Sequence, residues 1–328
     1  MFELTLEKAG EYLAAQGHAG AWRVRALGGG VSNTVLLAED GARRWVLKQS
    51  LGQLRVKEEW LADRQRIWRE CDALRRLSTM LPAGSVPGVV FEDREDFTFA
   101  MEAGPPDAVD WKTQLLAGDM SVETARRVGV LLRQMIAATW HGAEWFDVFG
   151  DQTCFDQLRL DPYYRFTATQ HEDLSEAFAD RIHSCRREAH SLVHGDFSPK
   201  NLLVGAGGSV MLIDCEVVHF GDPGFDAGFM LNHLLLKSHH RRGRAARYRE
   251  LAETFWDEAR MGVPEDWREW FLDTTMRHLG CLHMARVDGK SPAEYLDADA
   301  RNRVRGFARE LVLWPARSVS DVWDRLGA

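Results

Sequence analysis

The sequence is short of several features that would narrow its function at once. It has no run of about 18 apolar residues, so no helical membrane span is predicted. The opening stretch, MFELTLEKAGEYLAAQG, is charged and lacks an apolar core, which predicts no secretory signal peptide. Cysteine is scarce. The five present, Cys71, Cys154, Cys185, Cys215 and Cys281, are widely spaced and form no C-x-x-C. That pattern argues against a disulfide framework or a zinc site and for reduced thiols in the cytoplasm. There is also no basic tract: 41 Lys and Arg stand against 49 Asp and Glu, a formal charge of −8. Neither nucleic acid nor an anionic membrane is therefore an expected partner. Internal repeats and low-complexity segments are absent as well.

What is present suits a soluble enzyme with two cores. At 328 residues the chain exceeds one typical domain, and 45% apolar residues with 12 Trp can fill both. Residues 5–16 read as a short amphipathic helix with Leu6, Ala9, Tyr12 and Leu13 on one side. WRVRALGGGVSNTVLLAEDGARRWVLKQS then reads as three strands, with Gly28-Gly29-Gly30-Val31-Ser32-Asn33 between the first two. Glycines there let a backbone come close to phosphates and aim N–H groups at them, although three glycines alone are also an ordinary hairpin turn. Because the loop is not G-x-G-x-x-G and opens no helix, a dinucleotide fold is disfavoured.

Lys48 ends the third strand, and a helix over residues 62–80 follows with Ile67, Cys71, Leu74 and Leu77 at helical spacing. Glu70 on that helix is placed to pair with Lys48. The bland alternative is an exposed Glu making surface pairs with Arg64, Arg66, Arg69, Arg75 and Arg76. Two more strands, 86–91 and 97–101, lead to Glu102-Ala103-Gly104-Pro105-Pro106, a linker where backbone near Met101 and Ala103 can meet an adenine edge. Beyond it the pattern is helical. One stripe runs Ala125, Val128, Leu132, Met135, Ile136 behind the weak cap Ser121-x-x-Thr124, and a polar, aromatic segment continues through Tyr163 and Tyr164. Later helices are expected over GFMLNHLLLKS, over 264–285 with Trp267 and Trp270 inward, and over 293–313.

The chemistry concentrates in residues 191–226. His194-Gly195-Asp196 is followed by Asn201, then by two short apolar strands around Gly205-Ala206-Gly207-Gly208, then by Asp214. This order of Asp, Asn, hairpin and second Asp matches the kinase template, where the first Asp receives the acceptor hydroxyl and the others hold Mg²⁺ on the nucleotide phosphates. His194 invites an acid–base role, but a loop-bracing role fits it better; Asp222 and Asp226 likewise read as caps or braces. His239-His240 and the pair His278 and His283 lack zincin spacing and are not expected to bind metal.

HGDFSPKN, LIDCE and GDPGFD together resemble the aminoglycoside phosphotransferase/choline-kinase-like superfamily of small-molecule kinases. VLKQSLGQLRVKEEWLADRQR and IDCEVVHFGDPGFDAGFMLNHLLL resemble 5-methylthioribose kinases in particular. The resemblance implies an α+β, bilobal, protein-kinase-like fold, with a mainly β nucleotide-binding lobe over residues 1–103 bearing one key helix. A larger, mainly α catalytic and substrate lobe would cover 104–328. It implies an ATP-dependent, Mg²⁺-requiring kinase acting on a hydroxyl of a small metabolite. Asp196 would be catalytic, Asn201, Asp214 and Glu216 metal-holding, and Gly29, Gly30, Ser32, Asn33, Lys48, Glu70, Met101 and Ala103 would surround the nucleotide. Trp60 matches a mobile substrate loop. Arg277 in MRHLGCLH matches the substrate-contacting arginine pair of methylthioribose kinases, but Met276 replaces its partner, so methylthioribose itself is a poor expectation. Aminoglycoside phosphotransferase and a nucleotide-binding pseudokinase stay open as alternatives, and so do monomer and homodimer. A protein kinase is disfavoured by Gly195 in place of Arg and by the lack of A-P-E after Asp214.

Overall fold

The computed structural model describes residues 2–28, 33–52 and 63–328. Gly29, Gly30, Ser32 and Trp60, expected at the nucleotide and substrate, lie outside the described residues. The chain divides into two compact units, one of Met1–Ala108 with Met211–Glu216, the other of Val109–Val210 with Val217–Ala328. Among the described residues, no helix is long and apolar enough to cross a membrane. All five cysteines are buried, and among the described residues none forms a disulfide.

The first unit is built on an antiparallel sheet in the order Arg23–Ala26, Asn33–Asp40, Arg43–Ser50, Thr98–Glu102, Val89–Asp93. Side chains alternate along a strand, so Leu47 and its neighbour Lys48 face opposite ways. Leu47 joins Leu36, Ala38 and Ala100 beneath Ala9, Tyr12 and Leu13 of the helix Ala9–Ala15. Lys48 points to the other face, toward the helix Arg66–Met80, which buries Ile67, Glu70, Cys71, Leu74 and Leu77. Leu6, expected on the buried side, is instead exposed, because it precedes the first helical turn.

The second unit is mainly helical. Gly224–His240 runs through its core with almost every side chain buried, packed on Arg268–Asp288, and it shares a core with Ala298–Leu313. Gly228 makes that close approach feasible: a Cβ there would lie 3.0 Å from the Thr275 carbonyl oxygen and 3.0 Å from the His278 Cβ. Val122–Thr139 starts behind the expected cap, and the Ser121 hydroxyl accepts from the Thr124 N–H at 3.1 Å.

The polar, aromatic segment, given no element from the sequence, contains a π-helical stretch, Asp156–Arg165, with Pro162 inside it. Proline lacks an N–H and its ring crowds the carbonyl four residues back, so a wider turn takes over there. Trp267 and Trp270 are half-buried rather than core; they stand in a surface aromatic group with Trp140 and His190. The last long helix begins at Ala298, because Asp297 caps it by accepting from the Ala300 N–H at 2.7 Å.

Candidate active site

The loop carrying Asp196 is fixed from several directions within the second unit. It follows the strand Ser191–Val193, which pairs with His219–Gly221. Gly195 adopts φ +76°, and a Cβ at that position would meet the Val217 carbonyl oxygen at 2.9 Å, so no larger residue fits. Asp226 accepts the His194 N–H at 2.6 Å and the Gly195 N–H at 2.9 Å. Burial pushes the Asp226 carboxyl up to about 7, against the pull of those two N–H groups. The His194 ring accepts the Asp196 N–H through Nδ1 at 3.2 Å. His194 and Asp226 therefore brace the loop, as the sequence suggested.

Asp196 itself is 2% exposed. Its Oδ2 lies 2.9 Å from Arg159 Nη2 and 2.9 Å from Lys200 Nζ, and these two cations offset the cost of burying a carboxylate. Arg159 also donates through Nε to the Gly195 carbonyl at 2.6 Å, so one guanidinium holds both the loop backbone and the carboxylate. Sequence reasoning missed Arg159. Its only signal was an arginine set between two leucines, Leu158 and Leu160, that are both core. Asn201 donates its side-chain N–H to the Asp196 carbonyl at 3.0 Å, which leaves the amide oxygen as the atom that suits a hard cation.

In the first unit, Lys48, Glu70 and Asp214 come together. Lys48 Nζ lies 2.7 Å from Glu70 Oε2 and 2.5 Å from Asp214 Oδ1. Glu70 is fully buried, which removes the bland alternative of a surface pair for it. Burial pulls Lys48 down, but Asp214, Glu70 and Glu216 outweigh that and hold it well above its usual value, so it stays an ammonium. For Glu70 burial works upward and the Lys48 ammonium opposes it.

The Leu212 N–H donates to the Ser85 carbonyl at 2.8 Å, and two residues later Asp214 turns to φ 69°. A non-glycine residue in that left-handed region is strained, and such strain collects at functional sites. Glu216 Oε2 accepts from the Arg66 Nε at 3.1 Å and from the Asn33 amide at 2.8 Å. Arg66 is thus a buried partner of Glu216 rather than a surface residue, a second role the sequence did not disclose.

The remaining expected positions are less engaged with one another. Met101 lies in the sheet opposite Val46 and Val89. The Ala103 N–H already donates to the Arg44 carbonyl at 2.9 Å, so its own carbonyl is the group left for a nucleotide edge. Arg277 pairs with Asp273 at 2.8 Å, one turn away on the same helix, with its side chain 42% exposed. A cavity of about 570 Å³ among the C-terminal helices, bordered by His239, Arg303 and Phe307, contains none of these residues.

Comparison with known proteins addresses the family and the fold. The model of the phosphotransferase enzyme family matches residues 23–270. A methylthioribose kinase of Yersinia pestis (strain Pestoides F) is 27% identical over 243 residues, 64% of this chain and 58% of that protein. Methylthioribose kinase 2 of Oryza sativa subsp. japonica is 26% identical over 268 residues, 73% of this chain and 62% of that one. The chain thus spans less than two thirds of the length of these curated relatives. Among solved structures, amicoumacin kinase hAmiN in complex with AMP-PNP, Ca²⁺ and Ami superposes with a TM-score of 0.55 at 18% identity, covering 94% of each chain. That likeness speaks to the fold, which is α+β and protein-kinase-like as expected. With its family model matching most of its length, this chain belongs to the phosphotransferase enzyme family.

Proposed function

We propose that this chain is an ATP-dependent kinase that phosphorylates a hydroxyl group of a small-molecule metabolite. The observation that carries the reading is the buried Lys48–Glu70 pair with Asp214 beside it, since a permanently charged lysine on a sheet is what nucleotide phosphates require. Residues 1–103 would hold the nucleotide, with Gly29, Gly30, Ser32 and Asn33 at its phosphates and Met101 and Ala103 at its adenine. Residues 104–328 would carry catalysis and the acceptor. Asp196, braced by Arg159 and Asn201, orients the acceptor hydroxyl and takes its proton. Asn201 and Asp214 would hold Mg²⁺, with Glu216 contributing directly or through water, and the ion would neutralise charge on the transferring phosphates. The need for ATP makes the cytoplasm the expected compartment.

The curated relatives are named for methylthioribose, but 27% identity over 58% of their length supports the reaction class and not the acceptor. Carried over by resemblance, Trp60 and Arg277 would contact that acceptor. The deciding experiment is Asp196→Asn, assayed by ADP release with a panel of sugars, sugar acids, amino alcohols and aminoglycosides. Turnover should fall by about 10²- to 10⁴-fold while the KM for ATP stays the same. A variant that keeps wild-type turnover would remove Asp196 from the mechanism.

A further inference from the structure

Around Arg286 the donors outnumber the acceptors, and the imbalance is buried. Lys237, on the helix Gly224–His240, is 0% exposed. Its ammonium meets the His233 carbonyl at 3.2 Å, and among the described residues no carboxylate is paired with it. Arg286, on the helix Arg268–Asp288, is 8% exposed and has no acid partner among the described residues either. Its Nη1 donates to the Ser291 carbonyl and to the Tyr163 hydroxyl at 3.2 Å, while its buried Nε has no partner. The Tyr295 ring lies 5.4 Å from Lys237 Nζ, and its buried hydroxyl is also unpartnered. Glu294, next in sequence to Tyr295, is engaged by Lys112.

An ammonium buried without an opposite charge is costly, and proteins keep such groups where something else supplies that charge. Burial, then Lys112 and Arg286, pulls Lys237 down to about 7. His233 is pulled well down by burial and then by Lys237 and Arg286. Burial leads in both shifts, and the nearby cations add to it, while Glu294 and Asp110 oppose it at Lys237. The cluster is also tied to the candidate base. The Tyr163 ring stands 5.9 Å from the Arg286 guanidinium carbon and 5.9 Å from that of Arg159, and Arg159 is paired with Asp196.

We propose that Arg286, Lys237 and Tyr295 form the anion-binding part of the acceptor site, and that the acceptor carries a carboxylate or phosphate besides its reacting hydroxyl. The inference rests on the kinase reading above and narrows its acceptor class. The acceptor oxygen bonds to the γ-phosphorus, the bond from that phosphorus to ADP breaks, and the hydroxyl proton passes to Asp196. Polycationic aminoglycosides are disfavoured, because like charge at the binding point repels them.

The test pairs anions with neutral counterparts: D-gluconate with D-glucose, and glycerol 3-phosphate with glycerol, each at millimolar concentration. Thermal denaturation should show a rise in Tm with at least one anion and none with its neutral counterpart. Whether gluconate or glycerol 3-phosphate gives the rise distinguishes carboxylate from phosphate. Arg286→Ala and Lys237→Met should each weaken that anion at least tenfold. Lys237→Met replaces an uncompensated charge with an apolar chain of similar length, so it should fold with a higher Tm than wild type when no anion is present. Its lost anion response then cannot be a folding defect. In ADP-release assays, the acid acceptors should lead, and Arg286→Ala should raise the acceptor KM tenfold or more with the KM for ATP unchanged.

No anion effect, an effect undiminished in both variants, or an acceptor KM that rises in Arg277→Ala and not in Arg286→Ala would each overturn the inference. Anion stabilisation lost in Arg286→Ala, but with no ADP release from any acceptor, would keep the anion site and overturn the kinase reading. The two ideas therefore fail separately.

Discussion

At Lys237 the protein supplies one backbone acceptor, while Lys112 and Arg286 add positive charge and only Glu294 and Asp110 oppose it at a distance. Burial leads in pulling the ammonium to about 7 in the folded chain, against about 10.4 in an unfolded one. Between those values the unfolded chain binds the additional proton. Stability should therefore rise as pH increases from about 7 toward about 10, with a limiting slope of roughly 1.4 kcal/mol per pH unit. Urea titrations near the two ends of that window should show a larger gain for wild type than for Lys237→Met. Equal gains would mean that the lysine is compensated in solution. At this scale the legible residues were those whose spacing repeats a known chemical order: Asp196, Asn201 and Asp214, with Lys48 and Glu70 ahead of them. Arg66, Arg159, Lys237 and Arg286 were not legible, because an arginine or lysine in a helix looks the same in sequence whether it faces water or a buried partner.

The elements show where local pattern sufficed and where it did not. Strand alternation placed Lys48 opposite Leu47, and helical spacing buried Ile67, Cys71, Leu74 and Leu77 with Glu70 beside them. The π-helical stretch Asp156–Arg165 had no such signature, yet it is the element that brings Arg159 to Asp196 and Tyr163 to Arg286. The contact between Gly224–His240 and Arg268–Asp288 depends on Gly228, whose missing Cβ leaves room for the Thr275 carbonyl. Gly228→Ala should destabilise the protein by about 1–3 kcal/mol through overpacking, despite the better helix propensity of alanine. Since the same two helices carry Lys237 and Arg286, the variant should also weaken anion binding. Chemical denaturation would reveal the effect, and a Tm at or above wild type would show that the helices part without cost.

For the whole molecule, nucleotide binding should appear as stability. A ligand at a hundred times its Kd adds about 2.7 kcal/mol by mass action. Mg·ATP should therefore raise Tm, and EDTA should remove most of the rise. Asp214→Ala should show little of it, because it loses both a proposed metal ligand and a partner of Lys48. If ATP stabilises that variant as well as it does wild type, with or without EDTA, the metal assignment to Asp214 fails.

Apart from the π-helical stretch Asp156–Arg165, the main strands, helices and motif residues were determined by the sequence alone, because periodicity, capping and motif spacing are properties of neighbours along the chain. Family membership was legible for the same reason: HGDFSPKN and LIDCE are short, local strings. Only the tertiary structure decided which charges are buried and whom they meet. Arg66 finds Glu216 150 residues away, and Arg286 meets Tyr163 across 123 residues. A charge with no carboxylate paired to it is likewise visible only once every neighbour is in place, which is why Lys237 and Arg286, rather than Arg277, mark the proposed anion site.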